Sequence, residues 1–256
     1  MKNVFPEGMT KLIACAVVAE ELSAKLPTGI DSETLDFGLH RTPEKLKATL
    51  QETIDKSKGY KNIVLAYGLC GMAVIGLHSD SANLIIPRVD DCIAMFLGSR
   101  KAYLQRQAEY PGTLFLSKGW IEGKIDDTSP HEIIYQDLLT RYSEEKAKRL
   151  LAVYIARQPL RHYKRMAFIN TSNESDIERY KQIARSRASK LGLQYEEIAG
   201  STIFVNKITN CHWDREFIVA PPGHYISFND FWTDADKTPP PPGTSLYSPV
   251  PTDKAL

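Results

Sequence analysis

The sequence predicts an α/β protein: a largely parallel sheet flanked by helices, followed by a Pro-rich C-terminal tail. Apolar, β-rich runs alternate with segments of helical periodicity, which is the pattern of consecutive β-α units. Several of these runs, such as residues 63–66, are uniformly apolar, as strands buried on both faces of a parallel sheet are. A chain of 256 residues can bury a sizeable core. We therefore assign residues 1–232 to a single α/β domain and 233–256 to an extended or disordered tail.

The elements follow in order along the chain. Strands are predicted at 11–18, 34–39, 63–66, 84–86, 113–116, 166–170, 193–198 and 217–220. Helices are predicted from residue 20, from 42 to about 58, at 72–77, at 98–110, as a pair between 131 and 158, and at 175–191. Thr42-Pro43-Glu44 is a strong helix start because it combines an N-cap threonine, an early proline and an acid in the first turn. The four prolines at 239–242 exclude the tail from the core.

Composition narrows the class of protein. The net charge of +1 gives no global indication of nucleic-acid or anionic-membrane binding. The N-terminus lacks the apolar segment of a secretory signal, and the apolar run at 12–19 is too short to span a bilayer. A cytoplasmic protein is the default expectation. In that compartment the four cysteines are not expected to form a disulfide framework, which leaves buried thiols, a metal site or a reactive thiol.

Cysteine and histidine residues lie at or near the ends of four predicted strands. Cys15 lies in or at the end of the first strand, His40 follows the second, and Cys70 and Cys92 follow the next two. Because adjacent strands lie about 4.8 Å apart, side chains at the carboxyl ends of parallel strands can converge. Thiolates and imidazole suit zinc, and three thiolates with one vacant position also suit an iron–sulfur cluster. We predict these four residues as metal ligands, with packing as the alternative for each cysteine taken alone.

Glycines, acids and polar groups surround the predicted ligands. Gly68 and Gly71 permit close approach and unusual backbone angles, as ligand loops need. Two adjacent aspartates at a strand end are costly unless they are solvated, paired or linked to a metal. The predicted catalytic residues are Asp90, Asp91 and Tyr67, and the predicted cofactor-binding residues are Gly68, Gly71 and Arg88. Cys211 is assigned a structural role.

Other functions remain open. The chain has no nucleotide-binding glycine motif, no HExxH and no GxSxG elbow. A metal-free enzyme with Cys70 as nucleophile is one alternative. A non-catalytic accessory or chaperone protein that docks through its Pro-rich tail is another.

The motifs around these cysteines resemble those of a bacterial and archaeal family of unknown function (the DUF sixteen-thirty-eight family). The matching pieces are Ile13-Ala14-Cys15, Gly38-Leu39-His40, Tyr67-Gly68-Leu69-Cys70-Gly71, Asp90-Asp91-Cys92-Ile93, Leu97-Gly98-Ser99, Gly119-Trp120-Ile121-Glu122, Trp213-Asp214 and Pro222-Gly223, over roughly residues 10 to 225. The resemblance implies that Cys15, Cys70, Cys92 and His40 act as a set. The family name carries no activity.

The genomes in which this family occurs point to one kind of chemistry. Members often come from genomes that use corrinoid-dependent methyl transfer. For the metal-dependent enzyme that the cysteines predict, the resemblance therefore implies thiol or corrinoid methyl transfer as the chemistry to test first. Its partner would be a small-molecule substrate or a corrinoid or methyltransferase protein. No nucleic-acid or membrane partner is expected, and a homo-oligomer is left open.

Overall fold

The computed structural model describes residues 9–23, 25–27, 30–123, 130–157, 163–171 and 176–232. It is a mixed α/β structure with a mostly parallel sheet flanked by helices, which confirms the predicted fold class. The predicted Pro-rich tail and the docking role suggested for it lie outside the described residues. The described residues divide into two compact units, one drawn from 9–106 and 199–232 and the other from 107–198. The single domain expected over residues 1–232 stays a prediction.

The described elements run from β1 to α10 along the chain. They are β1 (Thr10–Cys15), α1 (Ala16–Ser23), β2 (Asp31–Leu35), a 3-10 helix (Phe37–Arg41), α2 (Pro43–Lys56), β3 (Asn62–Ala66), β4 (Asn83–Pro87), α3 (Cys92–Phe96), α4 (Arg100–Glu109), β5 (Thr113–Leu116), α5 (Lys118–Glu122), α6 (Pro130–Arg141), α7 (Glu144–Arg157), β6 (Arg165–Asn170), α8 (Ile177–Lys190), β7 (Gln194–Ala199), α9 (Ile203–Thr209), β8 (Phe217–Ala220) and α10 (Phe228–Phe231).

The sheet of the first unit has the order β2-β1-β3-β4-β8. Its first four strands are parallel, with Ala14 opposite Ala66 and Ile63 opposite Leu84, and β8 joins β4 antiparallel. The chain passes from β1 to β2 on one side and then returns past β1 to β3. The strand order therefore reverses between β1 and β3, and ligands of open α/β sheets bind at the carboxyl ends of the strands beside such a reversal.

The central strands of this sheet, β1, β3 and β4, are buried on both faces. On one face, Leu46 and Leu50 of α2 pack in a cluster with alternate strand residues such as Ile13 and Leu65. Val64, whose side chain points to the other face, is equally buried, and α1 contacts β1 and β2. This double burial explains the uniformly apolar strands, since each fully buried aliphatic side chain contributes about 1.5–3 kcal/mol.

The second unit has its own sheet, of order β5-β6-β7, in which β5 and β6 are parallel. Helix α8 packs on β6 and buries Tyr180, Ala184 and Ala188, which follow one another at spacings of four residues. Helices α6 and α7 pack against each other. Across the described ranges, the structure contains no helix with the length and apolarity needed to cross a membrane.

Three local predictions differ from the structure. The strand predicted at 34–39 lies earlier, as β2 at Asp31–Leu35, because Asp36 accepts a hydrogen bond from Gly38 N and starts the 3-10 helix there. The segment 72–77, predicted as a short helix, is a series of turns because Met72 and Gly76 have φ values of 73° and 85°. A right-handed helix cannot include such residues. The first strand is predicted to reach residue 18, but β1 ends at Cys15, and residues 16–18 form the first turn of α1. The N–H groups of Val17 and Val18 bond to Cys15 in this turn.

Candidate functional site

Cys15 ends β1 and begins the turn into α1. The backbone N–H groups of Val17 and Val18 donate hydrogen bonds to its sulfur, so the thiol caps the first turn of the helix. Burial raises the pKa of the Cys15 thiol, the two N–H groups oppose this effect, and the charge of Asp36 adds to it. The thiol is therefore held at the carboxyl edge of the sheet, mostly withdrawn from water.

Cys70 lies on a left-handed turn beyond β3. The φ angles of Cys70, Gly71 and Met72 are 44°, 68° and 73°. For residues other than glycine this conformation costs about 1–2 kcal/mol each, and such strain concentrates at functional sites. A side chain at Gly71 would also press on Pro43, whose Cγ would lie 3.2 Å from the added Cβ. The structure thus gives Gly71 a conformational reason for its identity, and its predicted cofactor contact stays a prediction.

The loops after β3 and β4 are joined backbone to backbone. Leu69 N donates to Val89 O at 2.9 Å and Cys70 N donates to Asp90 O at 3.1 Å, which extends the strand pairing beyond the sheet. Gly68 permits this approach, because a Cβ at that position would lie 2.7 Å from the carbonyl oxygen of Val89. This pairing fixes the position of the Cys70 turn relative to the Asp-Asp-Cys triplet at 90–92.

Four ionisable groups interact at this edge of the sheet. Burial raises the pKa of the Cys70 thiol, the charges of Cys15 and Asp91 raise it further, and the Gly68 N–H opposes them. Tyr67 is only 2% exposed, and burial followed by the charges of Cys15 and Cys70 raises its pKa. The structure therefore brings together four of the predicted site residues, all of which become negative on ionisation.

Asp91 caps α3 and accepts a hydrogen bond from the hydroxyl of Tyr103. Its Oδ1 accepts from Ile93 N at 2.9 Å and Ala94 N at 3.2 Å, and Tyr103 donates to its Oδ2 at 3.3 Å. Burial raises the pKa of Asp91 to about 6; the helix N–H groups and Tyr103 oppose this, and the charge of Asp90 adds to it. A carboxyl group that titrates near neutral pH is suited to proton transfer.

Asp90, the neighbouring aspartate, has different surroundings. Its Oδ2 lies 3.1 Å from Arg100 Nε, and both side chains are largely buried. The Arg100 guanidinium carbon lies 3.8 Å from the centre of the Trp232 ring. Burial raises the pKa of Asp90, and the charge of Arg100 opposes that rise. Asp90 thus belongs to a largely buried ion pair with Arg100.

The remaining predicted site residues have diverse locations. Arg88 donates through Nε to Phe217 O at 3.2 Å and through Nη1 to Asp230 O, and it thereby ties β4 to β8 and α10. Cys92 is the first residue of α3 and is half-buried. His40 lies in the 3-10 helix that follows β2, and its side chain is outside the described part of the structure.

Cys211 is remote from this edge. The hydroxyl of Thr10, the first residue of β1, donates to its thiol, whereas Cys15 stands at the other end of the same strand. Burial raises the pKa of Cys211 to about 11 and the Thr10 hydroxyl opposes that rise. The placement leaves Cys211 apart from the other thiols.

The described side chains do not form a preassembled metal cage. Among them, no group of three or more His, Cys, Asp or Glu residues is arranged to hold a metal ion. The predicted set of four ligands also includes His40, whose side chain is not among those described. The described part supplies two thiols that act on each other, Cys15 and Cys70, beside the carboxyl of Asp91.

Sequence reasoning missed several groups that shape the site. Arg100 and Tyr103 lie three residues apart on α4, so they share one helix face, and each contacts one aspartate of the triplet. The amphipathic pattern at 98–110 was the only local signal for them. Trp232 and Asp36 act through contacts that the sequence does not reveal.

Fold and site together define an α/β protein with half-buried, mutually interacting thiols at the carboxyl edge of a parallel sheet. The family described as "Protein of unknown function (DUF1638)" matches residues 34–209, and the chain belongs to that family. His40, Cys70 and Cys92 lie within the matched residues, and Cys15 precedes them. No curated protein matches the chain, and no solved structure does.

Proposed function

We propose that this protein is a metal-dependent enzyme that binds a thiophilic cation, zinc first of all, between Cys15 and Cys70. The observation that carries the proposal is the strand order β2-β1-β3-β4, which puts these two cysteines on either side of the reversal between β1 and β3. Cysteine thiolates are preferred ligands of zinc. The left-handed turn at Cys70 and the backbone pairing through Gly68 support a site whose position is built into the fold.

The charges around the two thiols favour a cation over a metal-free nucleophile. Activated cysteine nucleophiles stand near positive groups that lower the pKa of the thiol. Burial raises the pKa of both thiols; the charge of Asp36 adds to this rise at Cys15, and the charges of Cys15 and Asp91 add to it at Cys70. A divalent cation would offset this repulsion, because thiols bind metal in the deprotonated form.

The other predicted site residues receive roles in the same proposal. Cys92 and His40 complete the ligand set, and Asp91 transfers a proton. Tyr67, Arg88 and Asp90 position the substrate and the ligands. An iron–sulfur cluster with an open iron is the alternative cofactor if all three thiols converge.

The chemistry to test first is methyl transfer. Bound zinc would activate a coordinated thiol or water as a nucleophile. The acceptor or donor would be a small-molecule thiol or a corrinoid carried by a partner protein. A cytoplasmic location agrees with the four cysteines being thiols rather than disulfides.

The deciding experiment measures metal binding. Protein purified without oxygen is analysed for zinc and iron, and the metal-free protein is titrated with cobalt(II) while thiolate-to-cobalt charge-transfer absorbance is recorded. We expect Cys15→Ser and Cys70→Ser each to weaken cobalt binding by more than about 100-fold, since even outer-shell changes cost 10–100-fold. Cys211→Ser is the matched control and should bind as the wild type does. Absence of metal, with identical cobalt spectra in all variants, would refute the proposal.

The strained backbone at Cys70 favours a second candidate, a metal-free enzyme in which this thiol is the nucleophile. The two candidates differ in the pH dependence of alkylation of the metal-free protein. Under the metal proposal, alkylation of Cys70 should rise only well above the ordinary thiol pKa, which is 9.0 for this group. An inflection near neutral pH, confined to Cys70, would establish the nucleophile instead.

A further inference from the structure

A continuous set of contacts, through Asp90 and Arg100, links the Cys70 turn to Trp232. Cys70 N donates to Asp90 O at 3.1 Å. The carboxylate of the same aspartate lies 3.1 Å from Arg100 Nε, and the Arg100 guanidinium stacks on the ring of Trp232 at 3.8 Å. Asp90 is thus the residue through which α4 and Trp232 reach the turn.

Trp232 ends the segment 221–232, which follows β8 and is fixed to the rest of the first unit by hydrogen bonds and apolar packing. Gly223 N donates to Ser79 O at 2.8 Å, and Ile226 N donates to Leu77 O at 2.9 Å. Phe231 is 2% exposed, and Trp232 packs against the same apolar cluster as the strands. This segment follows the second unit in the sequence but belongs to the first unit. The last described residues of the chain therefore contribute contacts to the side of the sheet that carries Cys70.

We infer that Arg100 and Trp232 are positioning residues for the site, acting through Asp90 on the turn that carries Cys70. The inference rests on the proposed function because it concerns the same site. Arg100 and Asp90 are 13% and 11% exposed, so loss of the arginine leaves a carboxylate largely buried without that compensating charge. Movement of Asp90 toward water would release the N–H of Cys70 and open the turn.

The test uses the full chain and the rate at which iodoacetamide modifies Cys70, expressed as a ratio to the rate for Cys211 and measured by peptide mass spectrometry. The variants are Arg100→Ala, Arg100→Lys, Trp232→Leu and Trp232→Phe. We expect Arg100→Ala and Trp232→Leu to raise the ratio by about tenfold, a typical effect of losing a desolvated cation–π contact. Trp232→Phe retains an aromatic face and should leave the ratio near the wild-type value. Arg100→Lys keeps the charge but loses the planar stacking and should be intermediate.

The comparison of Trp232→Leu with Trp232→Phe separates positioning from bulk packing, because both replacements are large and apolar. An unchanged ratio in Arg100→Ala and Trp232→Leu, or an equal rise at Cys211, would overturn the inference. If Arg100→Ala does not fold, Arg100→Lys must still give a higher ratio than Trp232→Phe. Cobalt titration of the same variants is read separately: a wild type that binds no cobalt refutes the metal site, while the alkylation ratio still decides the role of Arg100 and Trp232.

Discussion

Replacement of Gly68 by alanine should separate the two loops that carry the site. The added Cβ would lie 2.7 Å from Val89 O, 2.8 Å from Asp91 N and 2.9 Å from Asp91 Cα. All three are backbone atoms, so no side-chain rotation relieves the overlap. Separation of the loops would also break the hydrogen bonds donated by Leu69 N and Cys70 N. Overpacking costs about 1–3 kcal/mol and each lost hydrogen bond about 0.5–1.5 kcal/mol, so the free energy of unfolding should fall by about 2–6 kcal/mol.

Urea-induced unfolding followed by circular dichroism measures this loss, and Gly59→Ala is the matched control. Gly59 has φ of 87° and open space around the added Cβ, so its replacement introduces backbone strain alone, about 1–2 kcal/mol. Gly68 does not have a positive φ, so an alanine there adds no strain of this kind. Its replacement therefore tests only the close contact between the two loops. A smaller loss for Gly68→Ala than for Gly59→Ala would refute the view that close backbone contact positions the Cys70 turn.

Three further predictions concern side chains near the two sheets. The pKa of Asp91 is raised from 3.8 to about 6, so its stabilising effect is complete below pH 3.8 and is lost as the pH rises through about 6. We expect the unfolding free energy of the metal-free wild type, minus that of Asp91→Asn, to fall by up to about 3 kcal/mol between pH 3.5 and 7.5. A difference that does not change with pH would contradict this. Tyr103→Phe removes a hydroxyl that lowers the pKa of Asp91, so carboxyl NMR titration should show that pKa above its wild-type value rather than at or below it. Ser117→Ala removes the side-chain acceptor of Trp120 N at the start of α5 and should cost about 1 kcal/mol in urea unfolding, whereas no loss would mean that this cap is not stabilising.

The apolar pattern was sufficient to predict the apolar strands, whereas the polar strand β2 was predicted too late in the chain. The run predicted at 217–220 coincides with β8, and the run predicted at 113–116 coincides with β5. These runs are readable because most of their residues are buried, and burial removes polar residues from a strand. The antiparallel direction of β8 could not be read in the same way, since an apolar strand has the same composition in either direction.

The details of the site were less accessible because they depend on contacts between distant residues. The segment after Cys70 has buried Ala73, Val74 and Leu77 at helical spacing, yet the positive φ of Met72 excludes a helix, and the sequence carries no sign of that angle. Asp90 and Asp91 are chemically identical neighbours. Their surroundings differ only because α4 brings Arg100 to one and Tyr103 to the other.

The pH dependence of metal affinity provides the strictest test of a site with two thiol ligands. Each thiol must lose its proton before it binds the cation, and burial raises the pKa of both Cys15 and Cys70 above the ordinary value of 9.0. At every pH below these values, binding should release at least two protons, so the logarithm of the cobalt dissociation constant should fall by at least two for each pH unit gained. Cobalt titrations at several pH values measure this slope, with Cys70→Ser as the control that lacks one thiol and should show a slope smaller by about one. A wild-type slope of one or less would exclude joint binding by Cys15 and Cys70, because a cation held by two protonated thiols cannot be bound without displacing both protons.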